Sequence, residues 1–200
     1  MASLFSEENL RWKEKAREVA ENVIRPLAKK YDELQEYPWE IREALAEADL
    51  FKVWIPKAYA GLFATFIPKE YGGSGAGVLA LARVTEELAK ADSGFGVAFA
   101  VNALGSFPIL LAGTEEQKQK YLPKIASGEV GIAFCLSEKT AGSDAQSLKV
   151  RGEKDGDGWK IYGEKKWTTN GGAADLYTVF AVTDPESKSR RISAFLVEKT

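Results

Sequence analysis

Two short segments of this 200-residue chain carry residues that could bind a ligand, and the first is FCLSEKTAGSD, residues 134–144. It supplies hydroxyl groups at Ser137, Thr140 and Ser143 and a glycine at Gly142. Glycine lets a backbone approach a ligand closely, and successive backbone N–H groups in such a turn form a concavity for an anion such as a pyrophosphate. The alternative is an ordinary exit from a strand into a polar loop.

The second segment is KKWTTNGG, residues 165–172. A tryptophan beside two threonines and before a glycine pair can place an aromatic wall and a hydroxyl donor against a planar ring. A core tryptophan at a sheet corner is the alternative. The sequence has no P-loop and no GxGxxG pattern, so nucleotide binding of those two kinds is not indicated.

Composition excludes several kinds of chemistry. The chain has no histidine, which removes Ser-His-Asp and Cys-His catalysis and histidine-bearing zinc sites, and we expect no metal site. Its 27 basic and 29 acidic residues nearly balance, so we expect no nucleic acid or membrane surface as partner. The single cysteine, Cys135, rules out an intrachain disulfide and favours a reducing, cytoplasmic location, and no targeting segment is evident. We therefore expect any chemistry to depend on a cofactor.

The elements that must position these segments change along the chain. Apolar residues recur at helical spacing up to residue 129, which predicts a helical domain over 1–129. The helix signals are Ser6 before two glutamates, Pro26 as a kink or break, Pro38 at the start of a second helix running to Ala48, a third helix over 78–91, a capping box at Thr114 to Gln117, and Gly128 as a stop.

Beyond Gly128 the apolar period becomes two, which predicts a β domain over 130–200. Asp155-Gly156-Asp157-Gly158 lies between alternating runs and is a strong hairpin signal. The predicted fold class is α+β, with a helical bundle followed by an antiparallel sheet or barrel. The last strand runs to Thr200 without a following turn, so we expect the chain to stop within this domain.

One segment, residues 93–114, contains no charge and is long enough to cross a bilayer. Its glycines, Asn102 and Pro108 in the middle, and its acidic flanks argue against a membrane span. A helix buried on all sides in a soluble bundle has the same composition. We predict the buried helix and no membrane span.

A repeat precedes this helix. Residues 50–61 and 62–73 match at seven of twelve positions. Two copies are too few for a solenoid, so we interpret them as a local duplication on a longer surface excursion.

The two segments together resemble motifs of the acyl-CoA dehydrogenase family. Residues 135–144 are similar to its small-aliphatic-Ser/Thr-Glu-x-x-Gly/Ala-Gly-Ser/Thr-Asp motif, and 167–170 to its Trp-x-Thr-Asn motif. Residues 67–73, 86–89 and 113–118 also resemble sequence segments of that family. The resemblance spans nearly the whole chain.

The resemblance implies an FAD site. It places Phe134, Leu136 and Ser137 against the isoalloxazine, with Ser137 bonded to its pyrimidine edge. It places Gly142 and Ser143 at the pyrophosphate, with Ser143 also touching the acyl-CoA. Trp167 would cover the ring, Thr169 would reach the N5 side, and Thr168 would lie between them.

Two departures from the family pattern bear on this site. Lys139-Thr140 stands where the family usually has Pro-Gly, which leaves the turn geometry open, and Thr168 replaces a common isoleucine. The resemblance implies that the chain stops before a C-terminal helical domain, whose glutamate is the family's catalytic base, so we assign no catalytic residue in this chain. Glu138 lies in the motif, and we predict a structural role for it.

The resemblance also implies substrate and partners. An acyl-CoA thioester would lose an α-proton to the base and a β-hydride to flavin N5, with an electron-transfer flavoprotein as acceptor and a homodimer or homotetramer as assembly. Phe95 and Phe99 are predicted to contact the acyl chain, and the charge-free helix favours an uncharged one. A flavin oxidase or monooxygenase on the same fold, and a non-catalytic scaffold or assembly subunit, are the alternatives.

Overall fold

The computed structural model describes residues 6–34 and 65–200. The predicted helix from Pro38 to Ala48 and the first copy of the repeat, residues 50–61, lie outside the described residues. The second copy is described from Thr65 onward, where Lys69–Tyr71 forms a single 3-10 turn.

The described part of the chain begins with helices, and their ends follow local capping rules. The helices are α1 Glu7–Val19, a π-helical turn Ala20–Ile24, α2 Arg25–Leu34, α3 Gly77–Ala91, α4 Ser93–Ala112 and α5 Glu115–Ser127. Ser6 Oγ accepts the Asn9 N–H at 3.2 Å. Thr114 and Gln117 form the predicted capping box, and Gly128 ends α5 in the left-handed region at φ 77°.

Pro26 does not break the helical run. It is the second residue of α2, which directly follows the π-helical turn and continues the run of α1. A proline removes one helical N–H and crowds the preceding turn, and a wider π turn at that point accommodates the misfit.

Helix α4 packs against α3, α5 and the sheet and is buried along one side. Phe99, Ala103 and Ser106 are buried, whereas Leu104 and Leu111 are 46% and 83% exposed. The prediction of burial on all sides is therefore wrong, because one face of α4 is exposed. Among the residues described, α4 is long and apolar enough to cross a membrane, with a mean hydropathy of 1.8, and the core helix of a soluble protein meets the same criterion.

The sheet is mixed, and β4 is its central strand. The strands are β1 Ile132–Cys135, β2 Arg151–Asp155, β3 Gly158–Tyr162, β4 Leu176–Val182 and β5 Ile192–Glu198. The predicted antiparallel pairing is found in the β2–β3 hairpin and along the whole of β4–β5. Strand β1 instead runs parallel to β4, from Ile132 opposite Leu176 to Cys135 opposite Val179.

The parallel pairing corrects the expectation of a purely antiparallel sheet. Some forty residues separate β1 from β4 along the chain, and a connection of that length lets a strand return in the same direction, unlike a tight hairpin. Strand β2 also meets β4 in parallel, at Arg151 opposite Val182.

Helix α4 and the sheet share one core, which fixes the end of β1. Gly105 lies so close to Ile132 that a Cβ there would approach its side chain to 3.0 Å. Asn102 Oδ1 accepts the Ile132 N–H at 3.1 Å, and Thr178 Oγ1 donates to the Gly105 carbonyl at 2.8 Å. These contacts hold β1 and β4 against α4, and the first ligand-binding segment begins where β1 ends.

Candidate functional site

The first segment leaves β1 through a closed turn. The Glu138 N–H donates to the Ala141 carbonyl at 2.8 Å, and the Ala141 N–H donates back to the Glu138 carbonyl at 3.3 Å. Lys139 and Thr140 form the exposed tip of this turn. The sequence left the turn geometry open at these two residues, and the structure shows that they complete a short two-residue turn without proline or glycine.

Gly142 follows this turn, and nothing in the described protein explains why it is glycine. A Cβ added there would meet no atom within 4 Å, and its φ lies outside the left-handed region. Any residue would therefore fit the protein itself. Gly142 and Ser143 are both exposed, so the space beside them is open to a ligand.

The second segment presents its tryptophan to the outside. Trp167 is 86% exposed, which excludes the core-tryptophan interpretation. Its backbone has φ 58°, and this left-handed conformation is a genuine outlier for a bulky residue. Strained backbone of this kind tends to occur at ligand-binding sites. Lys166 Nζ lies 5.4 Å from the centre of the Trp167 ring, within the range of a cation–π contact.

Hydrogen bonds join the two segments. The Lys166 N–H donates to the Ser137 carbonyl at 2.8 Å, and Lys165 Nζ donates to the Leu136 carbonyl at 3.0 Å. Burial raises the pKa of the Cys135 thiol, although its hydrogen bond with the Thr168 side chain and the charge of Lys165 oppose that shift. The structure thus places Ser137 next to the segment that carries Trp167 and Thr168, and their use as a shared site stays a prediction.

A buried ion pair lies behind this junction. Lys165 Nζ is 2.7 Å from Glu138 Oε1, and the two side chains are 9% and 6% exposed. Glu138 also accepts the backbone N–H groups of Lys149 and Val150, at 2.7 and 3.0 Å. Burial opposes ionisation of Glu138, but the bonds from Lys165 and from the two N–H groups outweigh it and hold the pKa below its ordinary value. A carboxylate so engaged supports the predicted structural role.

Phe134 and Leu136 make contacts within the sheet. The Phe134 ring centroid lies 5.0 Å from that of Phe180. Leu136 is partly buried and packs against the cluster of Ala141, Leu148 and Val182. Both side chains retain some exposed surface, so contact of either with a ligand stays a prediction.

An open apolar groove of about 360 Å³ lies beside the second segment. Thr169 reaches it from that segment, and the lining contains no charged side chain. The lining residues are Leu81, Val97, Ala100, Val101, Ala103, Leu104, Phe107 and Thr169.

Phe95 and Phe99 do not line this groove. Phe99 is buried in the helical core and Phe95 packs against the same core. The contact of Phe95 and Phe99 with an acyl chain stays a prediction, and the lining of the groove does not support it. At 100° per residue, Val97, Val101 and Leu104 share a face of α4 opposite to Phe95 and Phe99. The sequence shows that Val97, Val101 and Leu104 share a face. It does not show that this face is the open one, because the other faces of α4 are also apolar.

The second segment also contacts the helix that forms the groove. Asn170 Nδ2 donates to the Ala98 carbonyl of α4 at 3.0 Å, and Asn170 has φ 62°. Tyr177 donates its hydroxyl to the Gly171 carbonyl at 2.8 Å. The C-terminal end of the loop that carries Trp167 and Thr169 is therefore bonded both to α4 and to β4.

This arrangement of fold and loops agrees with comparisons to known families. The family model for the acyl-CoA dehydrogenase N-terminal domain matches residues 6–62 and 58–129, and the model for the acyl-CoA dehydrogenase middle domain matches residues 133–200. Together these matches cover nearly the whole chain. The chain belongs to the acyl-CoA dehydrogenase family.

Individual relatives agree with this assignment. A protein of Mycobacterium tuberculosis named "Probable acyl-CoA dehydrogenase FadE25" is 40% identical over 183 residues, which are 92% of this chain and 44% of that protein. The butyryl-CoA dehydrogenase structure from Megasphaera elsdenii is 32% identical with a TM-score of 0.83, over 99% of this chain and 50% of that one. A glutaryl-CoA dehydrogenase from Mycobacterium smegmatis in complex with FADH2 is 28% identical with a TM-score of 0.77, over 98% and 46%. The chain spans about half the length of these relatives.

Proposed function

We propose that this chain is the flavin-binding and acyl-binding part of an FAD-dependent acyl-CoA dehydrogenase. The observation that carries the proposal is the junction of the two loops. Ser137 and the exposed Trp167 are tied together at the end of β1, and Thr169 leads from them into an uncharged groove. A site for a planar ring next to a site for an apolar chain suits a flavin beside an acyl group.

The residues at the junction fit an FAD. Its ring would lie against Trp167, Thr168 and Thr169 on one segment and against Phe134, Leu136 and Ser137 on the other. The open space at Gly142 and Ser143 suits the pyrophosphate, because backbone there can come close without a side chain in the way. When bound, the flavin supplies two-electron chemistry by accepting a hydride. The solved relative that contains FADH2 supports this cofactor.

The groove supports an uncharged acyl chain as substrate. Its lining is apolar apart from the Thr169 hydroxyl, and a second carboxylate in such a groove would be left without a cation. Ser143 is proposed to touch the CoA part. Leu104 and Val97 are the side chains that would exclude water from the acyl group.

Several parts of the proposal concern the complete enzyme. The catalytic base lies outside this chain, and Glu138 is engaged elsewhere. The electron acceptor is an electron-transfer flavoprotein, and the assembly is a homodimer or homotetramer. Residues 1–129 and 130–200 form the two domains, and the described helices and strands change over between Ser127 and Ile132. A cytoplasmic location is part of the proposal.

The test is flavin binding by the purified 200-residue chain. We expect an absorption band near ~450 nm from bound flavin, and saturable quenching of FAD fluorescence when the chain is titrated into FAD. Trp167→Ala should weaken this binding at least about tenfold, because stacking on one aromatic face is lost. Trp159→Ala is the matched control, since Trp159 is an exposed tryptophan of β3 that packs on Phe195.

Each outcome has a clear meaning. Weakened binding in Trp167→Ala alone supports the proposal. A wild-type chain that binds no FAD, or equal affinities in the two variants, contradicts it. Bleaching of the flavin band by an acyl-CoA in this chain would contradict the proposal that the base lies elsewhere.

A further inference from the structure

The Glu138–Lys165 pair is buried although neither side chain is expected to touch a ligand. Removing two charges from water is expensive, and a buried pair often contributes little net stability compared with apolar residues. In some proteins such a pair instead selects one conformation over others. The contacts of this pair indicate which conformation it selects.

Each member of the pair is bonded to a different part of the candidate site. Lys165 precedes Trp167 by two residues, and its Nζ donates both to Glu138 and to the Leu136 carbonyl. Glu138 follows Ser137 directly and accepts the N–H groups of Lys149 and Val150. The pair therefore ties the loop after β1 to the tryptophan segment and to the chain entering β2.

These bonds set the direction of one peptide group. The carbonyls of Leu136 and Ser137 both point toward residues 165 and 166, where Lys165 Nζ and the Lys166 N–H bind them. A trans peptide is planar, so the Ser137 N–H points away from Lys165. Within residues 6–34 and 65–200 this N–H has no acceptor. It is left as a donor at the loop that carries the proposed flavin contacts.

We propose that Glu138 and Lys165 are positioning residues for the flavin. Their ion pair holds the Leu136–Ser137 backbone in one orientation against the Trp167 segment, so that both are preorganised before the cofactor binds. This inference rests on the proposed function. It gives the ion pair a role in the geometry of the site, with no transfer of protons or electrons by either residue.

The test compares FAD affinity and flavin properties in charge-removing variants. Glu138→Gln keeps the shape and one acceptor for the N–H groups of Lys149 and Val150, and Lys165→Met keeps the length without the charge. We expect each to raise the FAD dissociation constant at least about tenfold, since a hydrogen bond to a charged group is lost. The flavin absorption band and the midpoint potential should shift as well. Lys165→Arg retains the charge and should recover part of the affinity.

Glu87→Gln is the matched control. Like Glu138, Glu87 is a buried carboxylate in ion pairs, with a side chain that is 5% exposed. Its partners are Lys13, Arg17 and Lys90, and it lies on α3, in the helical part. The thermal midpoint of each variant without flavin separates loss of folding from loss of positioning. A purely structural role would lower the thermal midpoint of Glu138→Gln and leave its FAD affinity and flavin spectrum unchanged.

The outcomes separate this inference from the proposed function. Weak binding and an altered flavin spectrum in Glu138→Gln and Lys165→Met, with a normal Glu87→Gln, support the inference. Wild-type affinity and spectrum in both variants overturn it while the proposed function stands. A wild-type chain that binds no FAD overturns the proposed function, and the inference fails with it. If Lys165→Met does not fold, Glu138→Gln and Lys165→Arg still decide the question.

Discussion

Two buried glutamates, one in each part of the molecule, solve the same physical problem differently. Glu87 on α3 and Glu138 after β1 have side chains that are 5% and 6% exposed. Burial opposes ionisation in both, and hydrogen bonds from cations outweigh it, so both carboxyl groups have a pKa below the ordinary value. Neither carboxylate could stay charged there without its partners.

The partners differ in number and in exposure. Glu87 meets three cations from two helices, Lys13, Arg17 and Lys90, whose side chains are 30–52% exposed. Glu138 meets one cation, Lys165, which is itself buried, and two backbone N–H groups. The helical site is redundant and its cations are partly exposed, whereas the junction is a single enclosed network. Loss of one member should therefore matter far more at the junction.

The largest expected effect comes from removing each carboxylate. Glu138→Ala should lower the free energy of unfolding by about 3–5 kcal/mol, because Lys165 stays buried without its counter-ion. Glu87→Ala should cost about 1 kcal/mol, because its cations can turn to water. Urea denaturation of the two variants measures the difference, and equal losses would show that the two sites are equivalent.

A double-mutant cycle sharpens the comparison further. Lys165→Met combined with Glu138→Gln should be less destabilising than the sum of the single changes, with a coupling energy of about 2 kcal/mol, since the second change no longer strands a charge. The matching cycle of Lys90→Met with Glu87→Gln should show well under about 1 kcal/mol, because Lys90 is about half-exposed. A coupling energy at the junction as small as that at α3 would mean that Lys165 is hydrated after all.

Acid should weaken both sites with the same sign. A carboxyl whose folded pKa lies below its ordinary value of 4.5 contributes stability that is present above that value and is lost as the pH falls through the folded pKa. The free energy of unfolding should thus fall as the pH drops below about 4.5, and Glu87→Gln and Glu138→Gln should each flatten part of that fall. Urea midpoints measured from neutral pH downward test this.

FAD affinity separates the two carboxylates in the same pH window. Wild type and Glu87→Gln should lose affinity as Glu138 takes up its proton, whereas Glu138→Gln should bind weakly with no such pH dependence. Fluorescence titrations at several pH values measure it. Parallel curves for the two variants would contradict a special role for Glu138.

The sequence predicts well what depends on neighbouring residues. The cap at Ser6, the capping box at Thr114, the stop at Gly128 and the hairpin around Gly156 all appear as expected. Each of them is decided within a few residues by side-chain hydrogen bonds or by a glycine conformation.

What the sequence could not predict depends on distant residues. The parallel pairing of β1 with β4 is set by packing on α4. The sequence does not reveal which face of α4 is exposed, because every face of that helix is apolar. The partner of Glu138 is 27 positions away, and many lysines could have taken that place. The sequence motifs identified the loops of the candidate site, whereas the hydrogen bonds that hold these loops together are seen only in the structure.

The smallest expected effect tests the redundancy of the helical site. Lys13 lies 3.7 Å from Glu87, and Arg17 and Lys90 stay in contact when it is removed. Lys13→Ala should therefore change the free energy of unfolding by less than about 0.5 kcal/mol, and Lys165→Met by several times more. Urea denaturation of the two variants side by side gives the ratio. A loss for Lys13→Ala as large as that for Lys165→Met would mean that number and exposure of partners do not distinguish the two carboxylates.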